Sequence, residues 1–239
     1  MDKYKPWRDY LENILVAVFL ALVVRTFILT GYKVPTGSMA PTLKPGDFIF
    51  AFRVPFGVKI PFLKEKIAGQ PPKRGDVVVF SYPEQPRTSY VKRVVGLPGD
   101  VIKIDAGLLS VNGKQLELLS EDNEQIMDLP NSEYQQVYLE KTPDGDRKIL
   151  RLKDSSSKSF GPLIVPPQEV FLLGDNRDAS DDSRYWGTVP IEKIEGRVVF
   201  IWLSLDWSKD QDSSLDSQLS NTLGSKFPSV RWNRIFTSL

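Results

Sequence analysis

Apolar residues along this chain form one long unbroken run, followed by many short ones. Residues 14–24, Ile-Leu-Val-Ala-Val-Phe-Leu-Ala-Leu-Val-Val, carry no polar side chain, and after Arg25 the run resumes as Thr26-Phe27-Ile28-Leu29-Thr30. As a helix, residues 11–30 reach about 30 Å, the hydrocarbon thickness of a bilayer. Arg25 lies near one end, where a long side chain snorkels to the head groups. Trp7, Tyr10 and Tyr32 stand where interfacial aromatics are expected. A surface helix packed on a core would be amphipathic, whereas this run is apolar on all sides. A cleavable signal peptide has a fitting small-x-small triplet in Ser38-Met39-Ala40, but that triplet lies far beyond the apolar run and is followed by Pro41. The pattern therefore predicts a retained, single-pass transmembrane anchor over residues 11–30, after a short N-terminus of residues 1–10. Lys3, Lys5 and Arg8 precede the span and Lys33 and Lys44 follow it, which puts the N-terminus in the cytoplasm and everything after about residue 31 outside.

Beyond the anchor the period changes. Short apolar or alternating runs occur at Phe48–Phe52, Val77–Tyr82, Tyr90–Val95, Val101–Ile104, Leu108–Val111, Gln136–Leu139, Lys148–Leu152, Val170–Leu173 and Arg197–Leu203. Most are rich in Val, Ile and Phe and are bounded by Gly, Pro, Asp or Asn, as strands are. Asn112-Gly113 reads as a hairpin turn. The fold class is mainly β: an antiparallel β-sheet domain over 31–207 with a smaller β subdomain inserted at about 117–162, where the chain turns polar. Residues 208–239 read as a polar, mobile tail, with Arg231-Trp232-Asn233-Arg234-Ile235-Phe236 as a weak membrane-surface signal. Residues 48–62 are unusually apolar and close to the anchor, so part of them is expected to dip into the bilayer, although a β-domain core would account for the same residues.

Composition narrows the chemistry. The chain of 239 residues has no histidine and no cysteine. Ser-His-Asp and Cys-His arrangements, thiol nucleophiles and disulfides are therefore excluded. A hydrolase built on this chain must take its base from Lys, Asp, Glu, Tyr or a metal-bound water. With a formal net charge of +1, nothing suggests a nucleic-acid partner.

Three segments carry candidate chemistry. Val34-Pro35-Thr36-Gly37-Ser38-Met39-Ala40-Pro41-Thr42-Leu43 holds Ser38 on a loop stiffened by two prolines, which suits a nucleophile; a serine beside a glycine is also a common turn residue. In Tyr90-Val91-Lys92-Arg93-Val94-Val95, alternation puts Tyr90, Lys92 and Val94 on one face and Val91, Arg93 and Val95 on the other. If the Lys92 face points inward, desolvation lowers the lysine pKa and lets its amine take a serine proton. Alternation alone does not choose between the two faces. Residues 173–187 hold four Asp in eight positions, but they lack the spacing of a calcium loop. The residues read instead as a loop laced by pairs such as Asp175 or Asp182 with Arg177 or Arg184, with Ser180 and Ser183 available to a buried amine. No metal and no cofactor are expected.

Taken together, the three segments resemble the bacterial-type type I signal peptidases. Residues 35–43 match the serine box, 90–100 the lysine box and 174–187 the last box, with Gly46-Asp47 and Arg74-Gly75-Asp76-Val77-Val78 matching patterns between them. The resemblance implies a membrane-bound endopeptidase that removes signal peptides from preproteins after a small-x-small site. Ser38 would be the nucleophile, Lys92 the general base, and Ser180 the group orienting the lysine amine. Thr36 would supply the oxyanion hydroxyl, in place of the commoner serine. Val34, Met39, Leu43, Tyr90 and Val91 would line shallow S1 and S3 pockets, and Arg93, Asp175, Asp182 and Arg184 would brace the site. It further implies substrate pairing beside Lys92, contact with membrane lipid, work beside the export machinery, and a place in the bacterial plasma membrane or a thylakoid membrane with the catalytic domain on the periplasmic or lumenal face. A self-cleaving repressor-type peptidase would carry a DNA-binding domain where this chain has its apolar run. A non-catalytic tethered module would have no need of Ser38, Lys92 and Ser180 together.

Overall fold

The computed structural model describes residues 6–23, 28–53, 56–59, 66–82, 85, 87–154, 158–206 and 228–239. It begins with a helix, α1 (Pro6–Val23), followed by strands β1 (Leu29–Lys33), β2 (Asp47–Phe52), β3 (Phe56–Lys59), β4 (Lys66–Gly69), β5 (Val77–Ser81) and β6 (Ser89–Gly96). Next come β7 (Val101–Asp105), β8 (Leu108–Val111), β9 (Lys114–Gln115), β10 (Glu117–Ser120), β11 (Gln135–Lys141), β12 (Arg147–Leu152) and β13 (Phe160–Ile164). The chain continues through β14 (Glu169–Leu173), the single turn α2 (Ser183–Trp186), β15 (Val189–Pro190), β16 (Ile194–Asp206) and β17 (Ser229–Val230). Each of the nine expected runs overlaps a strand, so the mainly β, antiparallel class holds.

The predicted anchor needs correction. The helix runs over Pro6–Val23, not 11–30, and includes Arg8, Asp9 and Glu12. Leu29 and Thr30 pair with Phe52 and Ala51 in β1, so they are strand, not helix. The polar residues interrupt the helix near its start, and sheet pairing claims the other end of the apolar run. Among the described residues no helix is long and apolar enough to cross a membrane. Arg25 lies outside the described residues. Leu11, Ile14, Leu15, Phe19, Leu20 and Leu22 on α1 are all exposed.

The main sheet has eight strands in the order β1-β2-β16-β5-β6-β14-β15, with β17 pairing to β16. β1 and β6 are four places apart, about 19 Å in a flat sheet. Yet Tyr32 of β1 and Ser89 of β6 both bond to the carboxylate of Glu195. The sheet therefore curls until its edge strand faces β6. Its concave face is filled by Val34, Leu43, Ile49, Val79, Val198 and Ile201, with Tyr32 and Val91 packed against them.

The second layer begins earlier than the polar stretch suggested. β13-β7-β8-β9 form a four-stranded sheet and β10-β11-β12 a three-stranded one. β13, at the end of the expected insertion, returns to pair with β7, so the excursion in space starts at Val101. Polarity at 117–162 marks solvent exposure, not the sheet boundary. Ile126, Val137 and Leu150 of this layer pack with Ala40, beside the candidate nucleophile.

The tail also differs from expectation over its described end. Residues 207–227 lie outside the described residues, but 228–239 fold back onto the main sheet. Arg231 donates to the carbonyls of Pro45 and Leu205 and to Ser204 Oγ. Arg234 reaches both oxygens of the buried Asp47 at 3.2 and 2.6 Å, and the carbonyl of Thr42 at 2.9 Å. A buried carboxylate requires such partners, and the arginines supply them. Gly46 makes the contact possible, because a Cβ there would lie 2.0 Å from the carbonyl oxygen of Leu205.

Candidate active site

Lys92 is supplied by the middle of β6, opposite Val78 of β5. β14 meets β6 at Arg93, Val94 and Gly96 and goes no farther. Past Gly174 the chain bonds instead to the loop carrying Ser38. Ser38 lies in a short 3-10 turn, Gly37–Met39. Its carbonyl accepts from Asn176 N at 3.0 Å, and Gly37 O accepts from Asn176 Nδ2 at 3.2 Å. Gly174 is wedged so tightly that a Cβ would lie 2.2 Å from Ser180 Oγ and 2.5 Å from Ser38 O.

The result is a pair. Lys92 Nζ stands 2.8 Å from Ser38 Oγ, and the lysine is only 2% exposed. Both faces of β6 are covered: Lys92 is buried on one, and Arg93 is largely buried against Asp175 on the other. Burial pulls the Lys92 pKa down from 10.5 to about 8, opposed by the nearby charges of Asp182, Asp181 and Asp175. Thr36 Oγ1 lies 3.5 Å from Ser38 Oγ on the exposed side.

Arg93, on the opposite face of β6, grips Asp175 with two bonds of 2.8 and 2.6 Å and also donates to Gly75 O. Asp175 in turn accepts from Thr42 Oγ1 at 2.6 Å. Asp182 accepts from Gly174 N at 3.0 Å and from Arg184 Nε at 2.7 Å, and Arg184 also donates to Arg177 O. Arg93, Asp175, Asp182 and Arg184 are thus bonded into the segments around Ser38 and Lys92. Among the expected pairs Asp182–Arg184 forms, Asp175 takes Arg93 instead, and Arg177 goes to Glu140.

Two expectations meet a different geometry. Ser180 is buried, but its hydroxyl has no hydrogen-bond partner, so it does not bond the lysine amine here. Ser183 Oγ is taken by the backbone N–H of Leu172 at 2.9 Å. Among the expected pocket residues, Val34, Met39, Leu43 and Val91 share the concave cluster. Tyr90 does not; it packs with Val78, Phe80 and Trp186 on the other face.

Sequence reasoning missed several supports. Thr42 and Asn176 sit inside the boxes but bond across the chain, at separations no local pattern reveals. The buried Glu140 accepts from Arg177 at 2.6 and 2.8 Å and from Arg147 at 2.5 Å, joining the second layer to the last loop. These arginines hold the Glu140 carboxyl down at about 2 against the opposing effect of burial.

Comparison with known proteins identifies the family. Residues 7–203 match the family described as Signal peptidase, peptidase S26. A signal peptidase I of Pseudomonas fluorescens is 35% identical over 224 residues, covering 87% of this chain and 75% of that protein. A signal peptidase I of Rickettsia typhi is 33% identical over 262 residues, covering 98% of this chain and 95% of that protein. A crystal structure of a signal peptidase I from Enterococcus faecalis V583 is 30% identical and covers 54% of this chain and 97% of that one, with a TM-score of 0.33, too low to bear on the fold. The chain belongs to the signal peptidase family, peptidase S26.

Proposed function

We propose that this peptidase cleaves signal peptides from exported preproteins after a small-x-small site, with Ser38 as nucleophile and Lys92 as general base. The observation that carries the reading is the 2.8 Å contact between Ser38 Oγ and a buried lysine amine. A neutral amine takes the hydroxyl proton as Oγ attacks the scissile carbonyl, and the same proton passes to the leaving amine as the acyl-enzyme forms. Water then attacks the ester and gives its proton to Lys92, and as the acyl C–Oγ bond breaks the proton passes from the amine to Ser38 Oγ, restoring the enzyme and releasing the signal peptide's new carboxyl end. The Ser38 N–H, in the first turn of its 3-10 segment, and Thr36 Oγ1 are the donors available to the developing oxyanion. The unpartnered hydroxyl of Ser180, on the loop packed against Ser38, suits the role of orienting the amine.

The edge of β6 supports a substrate bound as an added strand. Ser89 to Lys92 have β5 on one side and, among the described residues, no strand on the other. Extended peptide could hydrogen-bond there, with alternate side chains directed to Val34, Met39, Leu43 and Val91. The half-buried Val91, backed by these buried aliphatic side chains, suits small residues. Phe48, Phe50, Phe200 and Trp202 line the outer face of β2 and β16, with ring centroids 5.4–5.6 Å apart. That aromatic face and the exposed apolar side of α1 support attachment to a bacterial membrane surface. The expected test is cleavage of a preprotein by the detergent-solubilised protein, abolished by Ser38→Ala and by Lys92→Ala. Full activity in the Lys92→Ala protein would overturn the mechanism.

A further inference from the structure

The curled sheet brings β1 against β6, and the residue joining them is a carboxylate. Glu195 lies where β16 slips register against β5, between Ile194 opposite Phe80 and Gly196 opposite Val79. An irregularity of this kind re-aims a side chain. Its Oε2 accepts from Tyr32 OH at 2.8 Å and its Oε1 from Ser81 Oγ at 2.7 Å. Ser89 Oγ stands 3.3 and 3.2 Å from the two oxygens, the longest contacts of the set. Arg53 Nη2 lies 3.5 Å from Tyr32 OH. The proposed chemistry does not use this cluster, and every member is half-buried or exposed.

The cluster lies at one end of the apolar packing on the concave face. Tyr32 and Val91 both pack there. Ser89 shares the Val91 face, being two residues away. It is three residues from Lys92, about 10 Å along the strand. A chain added to the free edge of β6, with its scissile carbonyl at Ser38, directs every second side chain to this face. If the residue before the scissile bond sits at the Val91 end, the third residue before it lies about 7 Å farther on, against Ser89, Tyr32 and Glu195.

We propose that Glu195 is a specificity-determining residue, forming a polar end wall for the third residue before the scissile bond and selecting small side chains that bear a hydroxyl. The proposal rests on the reading of β6 as the strand that receives substrate. A carboxylate offers about four acceptor positions. Tyr32 and Ser81 each hold one closely, while the exposed Ser89 is held loosely and is displaceable. Arg53 nearby disfavours a cationic side chain. An apolar wall tells Thr from Val poorly, whereas a polar group left short of a donor discriminates strongly.

The test uses three preproteins that differ only at this position, carrying Thr, Val or Ala. The Thr:Val ratio of kcat/KM is read within each enzyme preparation, so it does not depend on the fraction folded. The wild type is expected to favour Thr about tenfold. Glu195→Gln lowers the ratio several-fold, and Glu195→Leu brings it to one or below. A ratio near one in the wild type, or a ratio unchanged in Glu195→Leu, overturns the assignment. The Ala preprotein separates the two readings. If the wild type does not cut it, or Ser38→Ala still does, the peptidase reading falls and this one with it. If cutting depends on Ser38 while the ratio ignores residue 195, only the assignment of Glu195 falls.

Discussion

A charged lysine in a largely dry site with a serine hydroxyl at 2.8 Å is poorly solvated, and this is the origin of its low pKa. The sign of the resulting pH dependence follows directly. In the proposed mechanism the base works as the neutral amine, whose population grows as pH rises through about 8. The rate constant kcat/KM is therefore expected to climb through an apparent pKa near 8 and then level off. Asp181 is exposed, and its charge raises the lysine pKa. Asp181→Asn should shift the rising limb to lower pH in a measured pH–rate profile; a shift to higher pH would contradict the electrostatic account. Ser38 and Lys92 were legible in the sequence because both lie in long contiguous motifs. What each face meets was not, because strand alternation fixes only which residues share a face, and the partners, Ser38 for Lys92 and Asp175 for Arg93, come from far off in the chain.

At the scale of elements, the serine loop is fastened from several sides. Asn176 holds the carbonyls of Gly37 and Ser38, Asp175 holds Thr42, Ala40 packs into the second layer, and Arg234 holds the Thr42 carbonyl. Arg234 also neutralises Asp47, which is fully buried. Removing one partner of a buried pair typically costs about 3–5 kcal/mol. Arg234→Ala should thus lower the unfolding free energy, read from denaturant melts, by up to about that much and slow cleavage, while Arg234→Lys restores part of the stability. An unchanged free energy and rate would show that the arginine is ornamental. Little of this was visible beforehand. Arg231-Trp232-Asn233-Arg234 read as a membrane-surface motif because its charges have no local partner; the partners are Asp47, Asp128 and carbonyls far back in the chain.

For the whole molecule, strand patterning conveyed the β class, because alternation and turn residues are local. The curl of the sheet and the pairing of Leu29–Lys33 as a strand were not conveyed, since both depend on pairing between distant segments. The curl leaves an aromatic outer face, which Phe236 extends, its ring centroid 6.2 Å from that of Phe200; Trp232 is exposed on the same returning segment. Replacing Trp232 and Phe236 together by Ser is expected to slow cleavage of a vesicle-embedded preprotein at least about tenfold, a change of about 1.4 kcal/mol that partial burial of two aromatic side chains exceeds. Cleavage of a soluble peptide by the same variant should be unchanged; equal loss on both substrates would count against membrane docking by this face. The returning segment also has a bearing on synthesis. A nascent chain that has emerged as far as Asp206 already contains Ser38 and Lys92, but Asp47 still lacks its arginines. The serine loop therefore gains its Arg234 anchor only when 228–239 arrive, the last of its fastenings to be made.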